Sequence, residues 1–92
     1  MPRNPAAPFA IQGNQTVYVR LERKGRQGKT VSLVEGVMSP AVGKEALLKH
    51  LKNALGTGGA LKEGVLEIQG DHRDRIVEVL SGLGYKPKKA GG

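Results

Sequence analysis

The sequence predicts an α+β fold, a two-layer α/β sandwich in which both helices lie on one face of a mixed sheet of four to five strands. Two pairs of segments alternate apolar and polar residues, as half-buried strands do, and two further segments repeat leucine, isoleucine and valine at helical spacing. Glycine-bearing turns separate these segments. Together they give the order ββαββα(β) within one domain.

The first predicted element is a β-hairpin. Val17, Val19 and Leu21 alternate with polar residues from Thr16 onward, and the segment TVSLVEG forms the second strand. A connection of about five or six residues is expected between the strands, long enough to project from the sheet. The hairpin carries five cations, opposed only by one glutamate: Arg20, Arg23, Lys24, Arg26 and Lys29.

A helix is predicted after this hairpin. Ser39 and Pro40 are typical of a helix start, although Gly43 leaves a start at that residue open. Gly56 is expected to end the helix. Four leucines recur at helical spacing and predict its buried face: Leu47, Leu48, Leu51 and Leu55.

A second hairpin and a second helix complete the predicted domain. ALKEGVLEIQG indicates a hairpin with Glu63 and Gly64 at its tip. Asp71 is a candidate N-cap for the second helix, with Asp74 forming a cap-box-like pair. The apolar stripe of that helix would be formed by Ile76, Val77, Val79 and Leu80, before Gly82 and Gly84. Tyr85 to Lys88 could add an edge strand in which Pro87 is tolerated.

The predicted domain covers residues 16–88, between a flexible N-terminal tail at 1–15 and a frayed C-terminus at 89–92. The whole chain of 92 residues includes 15 Lys and Arg against 8 Asp and Glu, a net charge of +7 that favours a polyanionic partner. The small number of aromatic residues disfavours recognition by a row of stacked bases. No apolar segment is long enough to predict a membrane span or a signal peptide, so a cytoplasmic protein without a membrane partner is expected.

The sequence contains no recognisable catalytic or metal site, so we expect a protein that is not an enzyme and has no cofactor. His50 and His72 lack metal-ligand spacing, there is no cysteine, and no serine lies in a GxSxG context. GRQGKT is too short for the phosphate-binding P-loop, and it lies between two strands. GRQG also matches the GXXG loop of KH domains, but that loop joins two helices.

The basic hairpin has two interpretations from the residues alone. It is either a solvated hairpin tip whose charge limits aggregation at a sheet edge, or a loop that docks on phosphates. The net charge and a second basic cluster, Lys49 and Lys52, favour docking. Glycine lets the backbone approach phosphates closely, and such contacts position a protein without reading bases.

Three segments in order resemble the family of eukaryotic-type translation initiation factor one, most closely its short stand-alone bacterial and archaeal homologues. They are RKGRQGKTVSLVEG, KEALLKHLKNALGTGGALKEGVLEIQGDHRDRI and LGYK, which together span about Thr16 to Lys88. The resemblance implies a small α/β plait that binds rRNA of the small ribosomal subunit near the P site. It also implies an influence on initiator tRNA placement and start-codon selection, as an obligatory factor or as a regulator. A monomer is expected, and whether it acts alone or beside other initiation factors stays open from the sequence.

The resemblance also implies the RNA-binding residues. These are Arg23, Lys24, Gly25, Arg26, Gly28 and Lys29 in the hairpin, with Lys49 and Lys52 on the first helix. The family often has further lysines after Lys52, where this chain has Asn53 and Ala54. Gln69, Gly70 and Asp71 match a QGD-x-R sequence for which a turn and helix cap are the expected roles, and Arg73 and Arg75 could extend the basic surface.

Two other function classes remain open from the sequence. Gly91 and Gly92 end the chain after a ββαββ beginning, as in a ubiquitin-like modifier that is attached through a terminal glycine pair. The basic hairpin argues against this class. A general RNA- or DNA-binding module is the third possibility, because the predicted phosphate contacts carry no sequence information.

Overall fold

The computed structural model of the protein describes residues 15–24 and 28–90, and it has the predicted element order. The elements are β1 (Thr16–Lys24), β2 (Lys29–Glu35), α1 (Ala41–Leu55), β3 (Gly59–Lys62), β4 (Val65–Gln69), α2 (Arg73–Gly82) and β5 (Lys86–Lys89). None of the described helices has the length and hydrophobicity needed to cross a membrane.

The five strands form one mixed sheet in the order β3-β4-β2-β1-β5. Neighbouring strands are antiparallel except for β5, which pairs in parallel with β1 at the sheet edge. Both helices pack on the same face of this sheet, which we call the helix face, and the other face, which carries Arg20, Leu33 and Glu67, is the open face. The predicted α+β class and two-layer arrangement are therefore confirmed.

The core lies between the helix face and the two helices. Strand residues contribute alternate positions to it, as the pleat requires, and each helix contributes one stripe. All of the following side chains are buried in this single cluster: Val17, Val19, Val34, Val37, Leu47, Leu48, Leu51, Leu66, Ile68, Ile76, Leu80 and Tyr85. The core is aliphatic apart from one tyrosine, as the composition implies.

The first hairpin is longer and its loop shorter than predicted. Pairing of β1 with β2 continues to Lys24 and Lys29, which leaves residues 25–28 as the connection. The predicted five or six residues were therefore too many, because cations occupy the last ladder positions and a count of apolar alternation stops before them. Arg23, Lys24 and Lys29 consequently belong to strands.

The start of α1 was ambiguous in the sequence, and the structure places it at Ala41, with Pro40 at the N-cap position. Gly43 lies inside the first turn and is buried. At the other end Gly56 adopts a left-handed conformation with φ 66°, and its N–H donates to the Lys52 carbonyl over 2.8 Å. Gly56 thus ends the helix as predicted.

The prediction that Asp71 is the N-cap of the second helix was wrong. The helix begins at Arg73 and the N-cap position is His72, whose side chain makes no capping hydrogen bond. The reason lies in β2, where the Ser32 Oγ accepts a hydrogen bond from the His72 N–H over 2.9 Å. Asp71 lies one residue before the cap; its carboxylate binds the Arg73 side chain and also accepts a 3.4 Å hydrogen bond from the Arg73 N–H at the start of the helix.

The last strand is confirmed with shifted bounds. It runs from Lys86 to Lys89 beside β1, and Tyr85, predicted to start it, is instead a buried core residue. Lys89 pairs with Val19, so the strand extends one residue into the segment expected to fray. The predicted N-terminal tail and the Gly91–Gly92 pair lie outside the described residues, apart from Gln15.

Candidate nucleic-acid interface

The two strands of the basic hairpin present cations to opposite faces of the sheet. Arg23 shares the face of Val17 and Val19, on the side of the helices, and Lys29 lies on the open face. Both side chains are exposed. Because the two cations point to different sides, a polyanion could contact the hairpin from either side.

Part of the predicted hairpin site is outside the described residues. Gly25 and Arg26 belong to that part, and Lys24 is placed only through its backbone pairing with Lys29. Gly28 is described and has φ 64°, while a Cβ built on it would meet no atom within 4 Å. Glycine at this position is therefore favoured by the left-handed turn, and the space around it is open.

The first helix contributes the second group of cations. Lys49 is exposed, and the half-buried Lys52 occupies the last turn. A cation in the last turn also interacts favourably with the negative end of the helix dipole. Lys52 therefore has a structural role that is independent of any ligand.

Backbone hydrogen bonds bring the hairpin base and the end of α1 to one end of the sheet. The Gly70 N–H donates to the Thr30 carbonyl over 2.8 Å, and the Gln69 N–H donates to the Gly58 carbonyl over 3.0 Å. Gly58 is the third residue after the end of α1. The QGD turn thus links the two regions through the backbone, and we use the name basic end for the cations of the hairpin and of α1 together: Arg23, Lys29, Lys49 and Lys52.

The cations of the basic end are not neutralised within the described structure. Five salt bridges connect described residues, and none of them uses a member of the basic end. The basic end is therefore available to an external anion.

Arg73 and Arg75, which could extend the basic surface, are engaged by neighbouring carboxylates. The Arg73 guanidinium donates to both carboxylate oxygens of Asp71, over 3.0 and 3.1 Å. Arg75 lies 3.2 Å from Glu78, one helical turn away. These ion pairs reduce what either arginine can offer a phosphate.

The Asp71–Arg73 pair shifts the titration of both groups. Hydrogen bonds from the Arg73 side chain hold the pKa of Asp71 below its ordinary value of 3.8, and the pKa of Arg73 is raised by the same contact. A carboxylate with a depressed pKa stabilises the fold above its unfolded-state pKa, and this contribution is lost as the pH falls through the folded-state value. The pair therefore supports the turn at neutral pH.

Replacing Arg73 by Gln is expected to raise the pKa of Asp71 toward 3.8, because the charge-assisted hydrogen bonds are removed. An NMR titration of the Asp71 carboxyl carbon measures the change. Arg75→Gln is the matched control, since Arg75 contacts Glu78 instead of Asp71. Equal Asp71 titration curves in the wild type and in Arg73→Gln would contradict the assignment.

Ser32 is the residue of this region that the sequence interpretation missed. It is fully buried, and its hydroxyl donates to the Gly70 carbonyl over 2.6 Å while accepting from the His72 N–H. This single side chain links β2, the QGD turn and the start of α2. The signal in the sequence was a hydroxyl two positions before Val34, at an inward-facing position of the strand.

The residues considered for catalysis or metal binding remain apart. His50 is exposed on α1, and His72 lies at the start of α2. Within residues 15–24 and 28–90, no three acidic or histidine side chains are grouped as a metal site requires.

Comparison with known proteins identifies relatives along most of the chain. The family model described as translation initiation factor SUI1 matches residues 11–86. YciH of Escherichia coli is 42% identical over 87 residues, covering 95% of this chain and 81% of that protein. A protein from Synechocystis sp. is 50% identical over 78 residues, covering 85% of this chain and 70% of that protein. A protein translation factor SUI1 homolog from Ignicoccus hospitalis is 32% identical over 88 residues, covering 96% and 84% respectively.

Proposed function

The chain belongs to the translation initiation factor SUI1 family, and on that premise we propose that it is a non-catalytic initiation factor or initiation regulator of the cytoplasm. It docks on rRNA of the small ribosomal subunit near the P site. Through this position it influences placement of the initiator tRNA and selection of the start codon. It works as a monomer, beside other initiation factors.

The observation that carries this proposal is the unneutralised charge of the basic end. Arg23 and Lys29 extend from the hairpin, and Lys49 and Lys52 lie on α1, which is followed by a segment hydrogen-bonded to the QGD turn. Phosphate contacts from such side chains fix the register and orientation of a protein on RNA. The hairpin is the main anchor, and the helix cations are the second.

The geometry of the hairpin favours RNA of defined shape over an arbitrary strand. Its ladder is hydrogen-bonded up to Lys24 and Lys29, so the cations stand on a regular two-stranded arm. Because Arg23 and Lys29 point to opposite sides, the arm fits between two phosphate backbones better than along one. Recognition of shape through phosphates is the usual mode for folded RNA.

Binding to small subunits should weaken steeply as salt is added. If about five phosphates are contacted, the affinity falls roughly 500-fold between 50 and 200 mM monovalent salt, because each contact releases counterions. Sedimentation of the protein with purified small subunits across this salt range measures the slope. A nearly flat salt dependence would contradict docking through the basic end.

Chemical footprinting of small subunits with and without the protein tests the location. Protection of rRNA nucleotides around the P site is the expected result. A competition experiment with excess duplex DNA distinguishes specific docking on rRNA from general nucleic-acid binding. If duplex DNA displaces the protein as effectively as rRNA does, the specific docking is wrong. Protection confined to sites far from the P site would overturn the proposed position.

A further inference from the structure

The open face of the sheet carries a groove that the RNA-docking proposal does not use. Its volume is about 560 Å³, and it crosses β1, β2 and β4 beside the turn that joins β3 to β4. Leu33 forms its floor and is only 3% exposed, because longer side chains surround it. No helix of the described chain covers this face.

The charge of the groove is opposite to that of the protein. Four of the chain's eight acidic residues line it, although the net charge of the whole chain is +7. These are Glu22, Glu35, Glu63 and Glu67, against the two cations Arg20 and Lys62. The acidic residues are thus concentrated on the sheet face opposite the helices.

Two of the groove glutamates form ion pairs with described cations, and Glu22 also interacts electrostatically with Arg20. Glu35 accepts two hydrogen bonds of 3.0 Å from Arg20, and this contact holds the pKa of Glu35 below its ordinary value. Glu67 lies 4.0 Å from Lys62. The salt bridges within residues 15–24 and 28–90 include neither Glu22 nor Glu63.

The spacing of the glutamates fits an extended polypeptide. Glu22 lies on β1 and Glu67 on β4, with β2 between them, so their strands are about 10 Å apart. Alternate side chains of an extended chain repeat about every 7 Å on one side. The strand separation exceeds this repeat by a few ångström, which the long, flexible stems of lysine or arginine at such positions span, while RNA phosphates would be repelled.

We propose that this open-face groove docks an extended, lysine- or arginine-rich segment of a partner protein. The occupant's cations pair with Glu22 and Glu63, and the stems of its side chains lie over the Leu33 floor. The protein then has two surfaces of opposite charge, with RNA held by the basic end and a basic protein segment held by the groove. Such complementarity selects a partner and excludes RNA from the groove.

A short capped peptide of alternating lysine and alanine is the probe for this proposal. We expect isothermal titration to show binding to the full chain at low salt, weakened about tenfold in the double variant Glu22→Gln, Glu63→Gln because two exposed ion pairs are lost. The control variant Glu45→Gln, Glu78→Gln makes the same change in net charge on helix surfaces outside the groove. We expect the control to bind the peptide like the wild type.

Each other outcome would overturn the proposal. Equally weakened peptide binding in both variants would indicate attraction to the overall charge of the protein. If the peptide does not bind the wild type, a basic segment is not the occupant of the groove. If the groove variant instead abolishes a concentration-dependent dimer in sedimentation, the occupant is a second copy of this chain. If rRNA protects the groove from carboxyl-modifying reagents, the occupant is RNA.

Discussion

Replacing Arg23, Lys24, Arg26 and Lys29 together by Glu is expected to abolish co-sedimentation with small ribosomal subunits. Each lost phosphate contact costs about 1 kcal/mol, the Coulomb energy of two unit charges 4 Å apart in water. Four contacts correspond to roughly a 1,000-fold loss of affinity, and the introduced carboxylates add repulsion. Circular dichroism should show an unchanged fold, because Arg23 and Lys29 are exposed.

A matched pair of variants separates docking from total charge. Arg23→Glu with Lys29→Glu should lower the salt slope by about two phosphate contacts. Lys86→Glu with Lys88→Glu makes the same change in net charge on β5, beside the opposite end of β1, and both lysines are exposed. If the hairpin variant and the β5 variant lose small-subunit binding to a similar extent, the hairpin has no special role. If the variant with all four hairpin cations replaced still sediments with small subunits as the wild type does, rRNA docking through the hairpin is refuted.

The architecture could be predicted from the sequence because its apolar residues recur regularly, at every second position in strands and at helical spacing in helices. Val17 and Val19 alternate on β1, and Leu47, Leu48 and Leu51 recur on α1, so the burial of each element was already encoded locally. Glycines also predicted correctly the turns in which the backbone adopts a positive φ. Gly56 ends α1 at φ 66° and Gly64 forms the tip of the second hairpin at φ 81°.

Features that depend on pairing between elements could not be predicted in this way. The hairpin loop was overestimated because the ladder continues through polar residues, where there is no apolar alternation to follow. The helix cap was misplaced because a side chain from another strand, Ser32, satisfies the His72 N–H. A local motif such as Asp71 before a helix describes only sequence neighbours and cannot include a contact across 40 residues.

The candidate site likewise has some features that are local in the sequence and others that depend on contacts between elements. Exposed cations such as Lys29 and Lys49 were predicted as individual residues, since charge needs no tertiary context. The backbone link between the hairpin base and the segment after α1, by contrast, depends on the hydrogen bonds of Gly70 to Thr30 and of Gln69 to Gly58. The engagement of Arg73 by Asp71 likewise required coordinates, because the sequence alone placed both in a turn with different roles.

Ser32→Ala is expected to destabilise the fold by about 2–4 kcal/mol, the second large effect we predict. The substitution removes the hydroxyl that contacts both the Gly70 carbonyl and the His72 N–H, and each backbone group left without its partner costs about 1–3 kcal/mol. The methyl group of alanine fits the space, so the loss reports the hydrogen bonds. Urea unfolding followed by circular dichroism measures the change as a lower midpoint at constant slope.

Ser39→Ala is the matched control, since Ser39 is the other buried polar residue of the described chain, at 3% exposure. Its hydroxyl accepts a 3.2 Å hydrogen bond from the Gln15 side chain near the start of the described residues, so a loss of about 1 kcal/mol or less is expected. Ser32 joins β2 to the segment that also holds the hairpin base through Thr30 and Gly70. Ser32→Ala should therefore also weaken ribosome binding at temperatures where the protein is still folded. Equal stability of Ser32→Ala and Ser39→Ala would show that the Ser32 hydroxyl does not hold this turn.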